Sequence, residues 1–178
     1  MRYLAAAVVL VGLLCSIDLI LTLGVIKRLR EHGEVLSRRG PWMSAILPAG
    51  SMVSPFTAVT TDGGRVSRDL LVAGTLVGFF TPGCTSCERQ LSGFVGSAGL
   101  LPDGRRRALA VVVADDEAAA AMVRLLSQAA HVVVEAPFGP VAAAFQVATF
   151  PAFCLLDEHH AVVASGADLE AIPAATPA

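Results

Sequence analysis

The sequence predicts an α/β fold preceded by a single transmembrane helix. Two observations carry this reading. A long apolar run opens the chain, and strand-length apolar runs then alternate with helix-length segments, separated by Gly, Pro and Asp. The 178 residues suit one domain plus an appendage. Hydrophobic residues make up 54% and charged residues 16%, against averages of roughly 45–50% and about 25%. Such an excess calls for either a membrane segment or an unusually apolar core. Net charge is −2 and no long basic tract lies outside the N-terminal third, so no nucleic-acid partner is expected.

Tyr3 to Ile26 is apolar except for Asp18. As a helix it would rise about 36 Å, enough to cross a hydrocarbon core of roughly 30 Å. The apolar region of a cleavable signal would be shorter, about 7–15 residues, so a retained anchor over residues 1–26 is expected. Leu14 stands before Cys15 where a lipoprotein site wants a small residue, and Cys15 is read as an ordinary helix residue. Asp18 is a protonated carboxyl, a contact to a partner helix or a functional group. Residues 27–52 read as a charged helix followed by a linker, punctuated by Gly40-Pro41 and Pro48-Ala49-Gly50. Trp42 is placed at a membrane interface or over the domain. The folded domain is expected over residues 53–172, and residues 173–178 are expected to fray as a disordered tail.

Within the domain, Phe56–Thr60 and Arg65–Ser67 flank Thr61-Asp62-Gly63-Gly64, a hairpin signal. Arg68–Val72 reads as a short helical turn. Thr75–Phe80 and Ala108–Ala114 are continuous apolar runs suited to buried central strands. Cys84–Ala98 reads as a helix. Asp115 and Asp116 supply an N-cap for a second helix, Glu117–Ala130. A short strand over Val132–Glu135 and a helix over Phe138–Val147 follow. Ala152–Asp157 and Ala161–Ser165 then form a second hairpin around Glu158-His159-His160.

Two of the four cysteines lie three apart, Cys84-Thr85-Ser86-Cys87, where the buried strand Thr75–Phe80 meets a helix. Free N–H groups and the positive end of the macrodipole converge at a helix N-terminus. They favour a thiolate, which makes Cys84 the expected nucleophile with a lowered pKa. Cys87, one turn on, lies on the same side and deeper, as a resolving thiol. Pro82-Gly83 sets the turn and lets a partner approach the sulfur. Half of a zinc site is the rival reading, but structural zinc needs about four ligands and no second pair is present. No metal or cofactor is therefore expected. A structural disulfide rarely spans two residues. Phe150-Pro151 directly precedes the strand Ala152–Asp157, a position where proline is tolerated.

Phe79-Phe80-Thr81-Pro82-Gly83-Cys84-Thr85-Ser86-Cys87, followed by Thr149-Phe150-Pro151-Ala152-Phe153, resembles the thioredoxin superfamily. Val53-Ser54-Pro55-Phe56 with Asp62-Gly63-Gly64-Arg65-Val66-Ser67 is similar to its TlpA-like and redoxin branch. The anchor, charged helix and dithiol together also resemble MauD-type accessory proteins. The resemblance implies a central mixed sheet flanked by helices and a membrane-anchored bacterial thiol–disulfide oxidoreductase. It further implies a cis Pro151 packed against Cys84, and Phe150 lending backbone groups to a substrate chain. The partners it implies are client proteins with disulfides or thiols, an electron donor of unidentified nature, and the lipid bilayer. The tryptophan usual before the first cysteine is replaced by Pro82-Gly83, and the family's C-terminal helix looks short near Asp168–Ile172. Thr81–Thr85 also resembles the peroxidatic loop of peroxiredoxins, in which Cys84 would attack a hydroperoxide. A second alternative is a copper or cofactor-assembly chaperone that holds a soft metal between the two thiolates.

Other candidates receive structural readings. His159-His160 is read as a solvated turn, with His131 and His32 on the surface, Cys154 as a small buried hydrophobe, and Arg105-Arg106-Arg107 as a solvated loop. Lys27, Arg28, Arg30, Arg38 and Arg39 follow the anchor and only Arg2 precedes it, a bias that places the domain in the cytoplasm. The family resemblance places it outside, where disulfides persist. The extracytoplasmic side is the expectation adopted.

Overall fold

The computed structural model describes residues 44–173, and within them the side chains of Asp116 and Glu117 are not characterised. The expected anchor, the charged segment up to residue 43, Cys15, Asp18, His32, Trp42 and residues 174–178 lie outside the described residues. Among the described residues no helix is long and apolar enough to cross a membrane.

A five-stranded mixed sheet organises the domain. Its strands are β3 (Leu76–Phe80), β4 (Ala108–Val113), β5 (His131–Glu135), β6 (Ala152–Leu156) and β7 (Val162–Gly166), in the order β5-β4-β3-β6-β7. The β3–β4 and β4–β5 pairs are parallel, and β3–β6 and β6–β7 are antiparallel. A separate hairpin pairs β1 (Thr57–Val59) with β2 (Arg65–Ser67). Its turn docks on the sheet edge, where the Thr61 N–H donates to the Val132 carbonyl at 2.8 Å.

The helices are α1 (Thr85–Leu100), α2 (Asp116–Leu126) and α3 (Pro140–Ala144). Strand side chains alternate between faces, so consecutive residues of the buried strands enter different cores. Val77, Phe79, Leu109, Val111 and Cys154 face α3 and Phe145, the residue that follows it. Leu76, Phe80, Ala110, Val112 and Phe153 face α1 and α2. Both faces of β3, β4 and β6 are thus covered, which is why these strands read as unbroken apolar runs.

Gly78 lets α1 approach the sheet closely. A Cβ there would lie 2.7 Å from the Phe94 ring and 2.9 Å from Phe80. The space goes to an aromatic cluster, with Phe80–Phe94 and Phe80–Phe153 ring centroids 5.3 and 5.7 Å apart in edge-on geometry. Phe94, Leu91 and Cys87 are the inward face of α1, so this cluster also fixes where the helix begins.

Three expectations are corrected. First, Ala45, Ile46 and Leu47, assigned to the linker, are core residues. The Leu47 N–H donates to Phe145 at 3.0 Å and the Ala148 N–H to Ala45 at 2.9 Å. A three-residue apolar run before Pro48-Ala49-Gly50 carries no period, so its docking is visible only in three dimensions. Second, α2 stops at Leu126, four residues early. Third, α3 is one and a half turns long and begins at Pro140, not Phe138.

The start of α3 explains the last shift. Gly139 at the N-cap has no side chain to offer, and Pro140 has no N–H. The next two N–H groups, of Val141 and Ala142, donate to the two carboxylate oxygens of Glu135 at 3.0 and 2.7 Å. This buried carboxylate, 9% exposed, caps the helix from the end of β5. Gly139 is needed for it, since a Cβ there would fall 2.5 Å from the Glu135 carboxyl.

Candidate functional site

β3 ends at Phe80 and α1 begins at Thr85, so Thr81-Pro82-Gly83 must reverse the chain in three residues. Thr81 pins the turn by donating its hydroxyl to the Val113 carbonyl at 2.9 Å. Gly83 completes it at φ +73°, a conformation costly to other residues. Cys84 is then the N-cap of α1, with φ −94° and ψ 105°, and its carbonyl accepts the Glu88 N–H at 3.0 Å.

In this position the Cys84 sulfur does what a capping oxygen does elsewhere. It accepts the Cys87 N–H at 3.2 Å, and as a thiol it donates to the Phe150 carbonyl at 3.7 Å. Burial disfavours its ionisation. Hydrogen bonds from the Cys87 thiol and from the Cys87 and Ser86 N–H groups outweigh that, and the thiol is held below the ordinary cysteine range although the Glu88 charge opposes this. Cys87 is the opposite case. It is fully buried against the aromatic cluster, and burial, followed by its hydrogen bond to Cys84, pushes it up to about 12.

Two thiols one helical turn apart therefore differ in character. The outer one is partly exposed and is the more easily ionised; the inner one is covered and holds its proton more tightly. Both are free. Such a pair can attack a disulfide with the outer sulfur and complete the exchange with the inner one.

The structure sets Pro82, Gly83, Phe150 and Pro151 around Cys84 and Cys87. Pro82 and Gly83 form the turn, and Phe150 and Pro151 approach from β6. The Phe150–Pro151 peptide bond is cis. Pro151 is buried, while Phe150 is half-buried and packs with Cys84. Cys154 lies on the opposite face of the sheet from Cys87 and takes no part; burial pushes its thiol up.

Other side chains diverge from their readings. Arg105 is not merely solvated, because it bonds the Ala130 carbonyl at 2.8 Å and Asp62 at 2.9 Å, tying the first hairpin to the sheet edge. His131 lies 4.0 Å from the same carboxylate. His159 is exposed, but His160 places Nε2 3.1 Å from the Leu71 carbonyl. Among the described residues no group of three or more His, Cys, Asp or Glu side chains could hold a metal ion.

The sequence reading missed Gln90. Its amide spans two chain segments beside the dithiol: Nε2 donates to the Ala167 carbonyl at 3.1 Å, and Oε1 accepts the Leu169 N–H at 2.8 Å. Nothing in the sequence pairs residues 77 and 79 positions apart.

No protein-family profile and no curated protein matches the chain. Solved structures do. The thioredoxin domain of a thiol-disulfide oxidoreductase from Bacteroides vulgatus superposes with a TM-score of 0.57 at 21% identity, covering 67% of this chain and 88% of that one. A secreted disulfide oxidoreductase of Mycobacterium tuberculosis gives 0.52 at 20% identity, over 66% and 86% of the two chains. A thio-disulfide isomerase from Thermus thermophilus gives 0.52 at 18% identity, over 67% and 85%. The described domain has the thioredoxin-like α/β fold, and the three proteins named are described as a thiol-disulfide oxidoreductase, a disulfide oxidoreductase and a thio-disulfide isomerase.

Proposed function

We propose that the protein is a membrane-anchored thiol–disulfide oxidoreductase acting through Cys84 and Cys87. One observation carries the reading: a half-exposed, ionisable Cys84 caps α1 with a buried Cys87 one turn behind it. The kind of protein that shares the fold supports it.

In the reducing direction, the Cys84 thiolate attacks one sulfur of a client disulfide. The client S–S bond breaks, the departing thiolate takes a proton from water, and a mixed disulfide remains. Cys87 then loses its proton and attacks the Cys84 sulfur, releasing the second client thiol. The client gains two electrons and the protein is left with a Cys84–Cys87 disulfide, which the electron donor reduces. The Phe150–Pro151 segment, whose Phe150 carbonyl lies 3.7 Å from the Cys84 sulfur, lends backbone groups to the client chain. Tyr3–Ile26 anchors the domain to the bilayer, on the extracytoplasmic side.

Cys84→Ser is expected to abolish exchange, and Cys87→Ser to accumulate mixed disulfides. A Cys87→Ser chain that traps no partner under mild oxidation overturns the proposal. A thiol reagent that cannot enter intact cells should label Cys84; labelling only after lysis would place the domain inside.

A further inference from the structure

Beside the dithiol lies a groove of about 550 Å³, lined by Ser86, Arg89, Gln90, Phe150, Pro151 and Asp168 among others. One wall is α1, and the floor near the sulfur is Phe150–Pro151. The opposite wall is the strap that follows β7, residues 167–172. Its far end is secured by Ile172, a buried core residue. Midway, Leu169 lies over Gly93, where a Cβ would meet its side chain at 3.5 Å. The near end, next to Pro151, is an exposed stretch: Ala167 and Asp168 bury nothing in the core. This end follows directly on Gly166, which pairs with Phe153 in the sheet, and its hydrogen bonds to α1 come from the two-point grip of Gln90 on Ala167 and Leu169.

The two bonds are unequal. The one to the Ala167 carbonyl is exposed, and water competes for it. The one from the Leu169 N–H is partly buried, so leaving that N–H unpaired costs more. Gln90 lies three residues from Cys87 on α1, but its amide is committed to the strap and makes no hydrogen bond to either sulfur. Its influence falls on the shape of the groove.

We propose that Gln90 is a positioning residue for polypeptide clients: by clamping the Ala167–Leu169 strap to α1 it fixes the wall of the groove that receives the chain around a disulfide. The inference rests on the oxidoreductase reading above. Because the clamp shapes the groove and not the thiols, a client that needs the groove depends on it, and a small disulfide that reaches Cys84 without filling the groove does not.

The test uses the full chain with two probes, insulin as a polypeptide disulfide and glutathione disulfide as a small one. Gln90→Met removes both bonds and keeps the side chain's length and helix propensity. It is expected to raise KM for insulin about fivefold or more, the scale of one net hydrogen bond, with kcat changed less than twofold. Gln90→Glu keeps the acceptor for the Leu169 N–H but sets a carboxylate oxygen against the exposed Ala167 carbonyl, so its insulin KM should fall between those of the parent chain and Gln90→Met; a value no lower than that of Gln90→Met overturns the clamp. An unchanged insulin KM in Gln90→Met overturns the clamp and leaves the oxidoreductase reading standing. Equal losses on insulin and glutathione disulfide, carried in kcat, also overturn it, since they mark general damage. A parent chain that exchanges with neither probe overturns the oxidoreductase reading itself, and the clamp with it.

Discussion

Replacing Glu135 by Gln tests how α3 is held in place, and through α3 the approach to Phe150–Pro151. The two carboxylate oxygens accept one N–H each, from Val141 at 3.0 Å and Ala142 at 2.7 Å. Glutamine has one acceptor oxygen. Its amide nitrogen would face the second N–H, donor against donor, in a buried site. A charge-assisted hydrogen bond contributes about 1.5–3 kcal/mol, and an unpaired buried donor costs about 1–3 kcal/mol. The expected loss is therefore about 3–5 kcal/mol, a large share of the roughly 5–15 kcal/mol typical of a domain. Urea unfolding followed by far-ultraviolet circular dichroism reads it directly. With a slope of about 1–3 kcal/mol per molar, the midpoint should fall by roughly 1–5 M. Glu158→Gln removes the same charge from a side chain that is 77% exposed and should stay within about 0.5 kcal/mol of the parent. If Glu135→Gln costs less than about 1 kcal/mol, the carboxylate is not what caps α3 and the reasoning fails.

Alkylation of Cys84 by iodoacetamide should reach half its maximal rate at a lower pH than that of an ordinary cysteine thiol, while Cys87 stays unmodified in the folded protein. Because the folded value for Cys87 is raised to about 12, its contribution to stability is complete below about pH 8.5 and is lost as pH rises toward that value; the reduced parent should lose more stability over this range than Cys87→Ala. Gly78→Ala should cost about 1–3 kcal/mol, because its Cβ would meet Phe94 and Phe80 below 3 Å. Gly96→Ala on α1 has open space around the new methyl and should gain about 0.5–1 kcal/mol in the same urea assay.

The comparison of sequence and structure is sharpest at α1 and α3. Both follow buried strands and both were expected as helices, yet only α1 starts where expected. Its N-cap is the residue at the head of the motif, so the capping partner, Cys87, is three positions away and visible in the chain. The partner of α3 is Glu135, which reaches the helix across a turn, and local composition extended the expected helix through residues that cannot be capped there. The same distinction separates the hairpin turn Thr61–Gly64, legible from its residues, from the Arg105 contact that docks it, which joins positions 43 apart.

The order of strands and helices, the two buried strands around the site and the dithiol with its proline partner were all determined by the sequence itself. Each rests on local chemistry: an apolar period, a turn residue, a helix start. Tertiary structure decided which sulfur is covered and by how much, that Ala45–Leu47 belong to the core, and that Gln90 and Glu135 hold distant segments. Those outcomes depend on burial and on hydrogen bonds between groups far apart in the chain. The free energy of such contacts comes from excluding water, and only the folded arrangement shows where water is excluded.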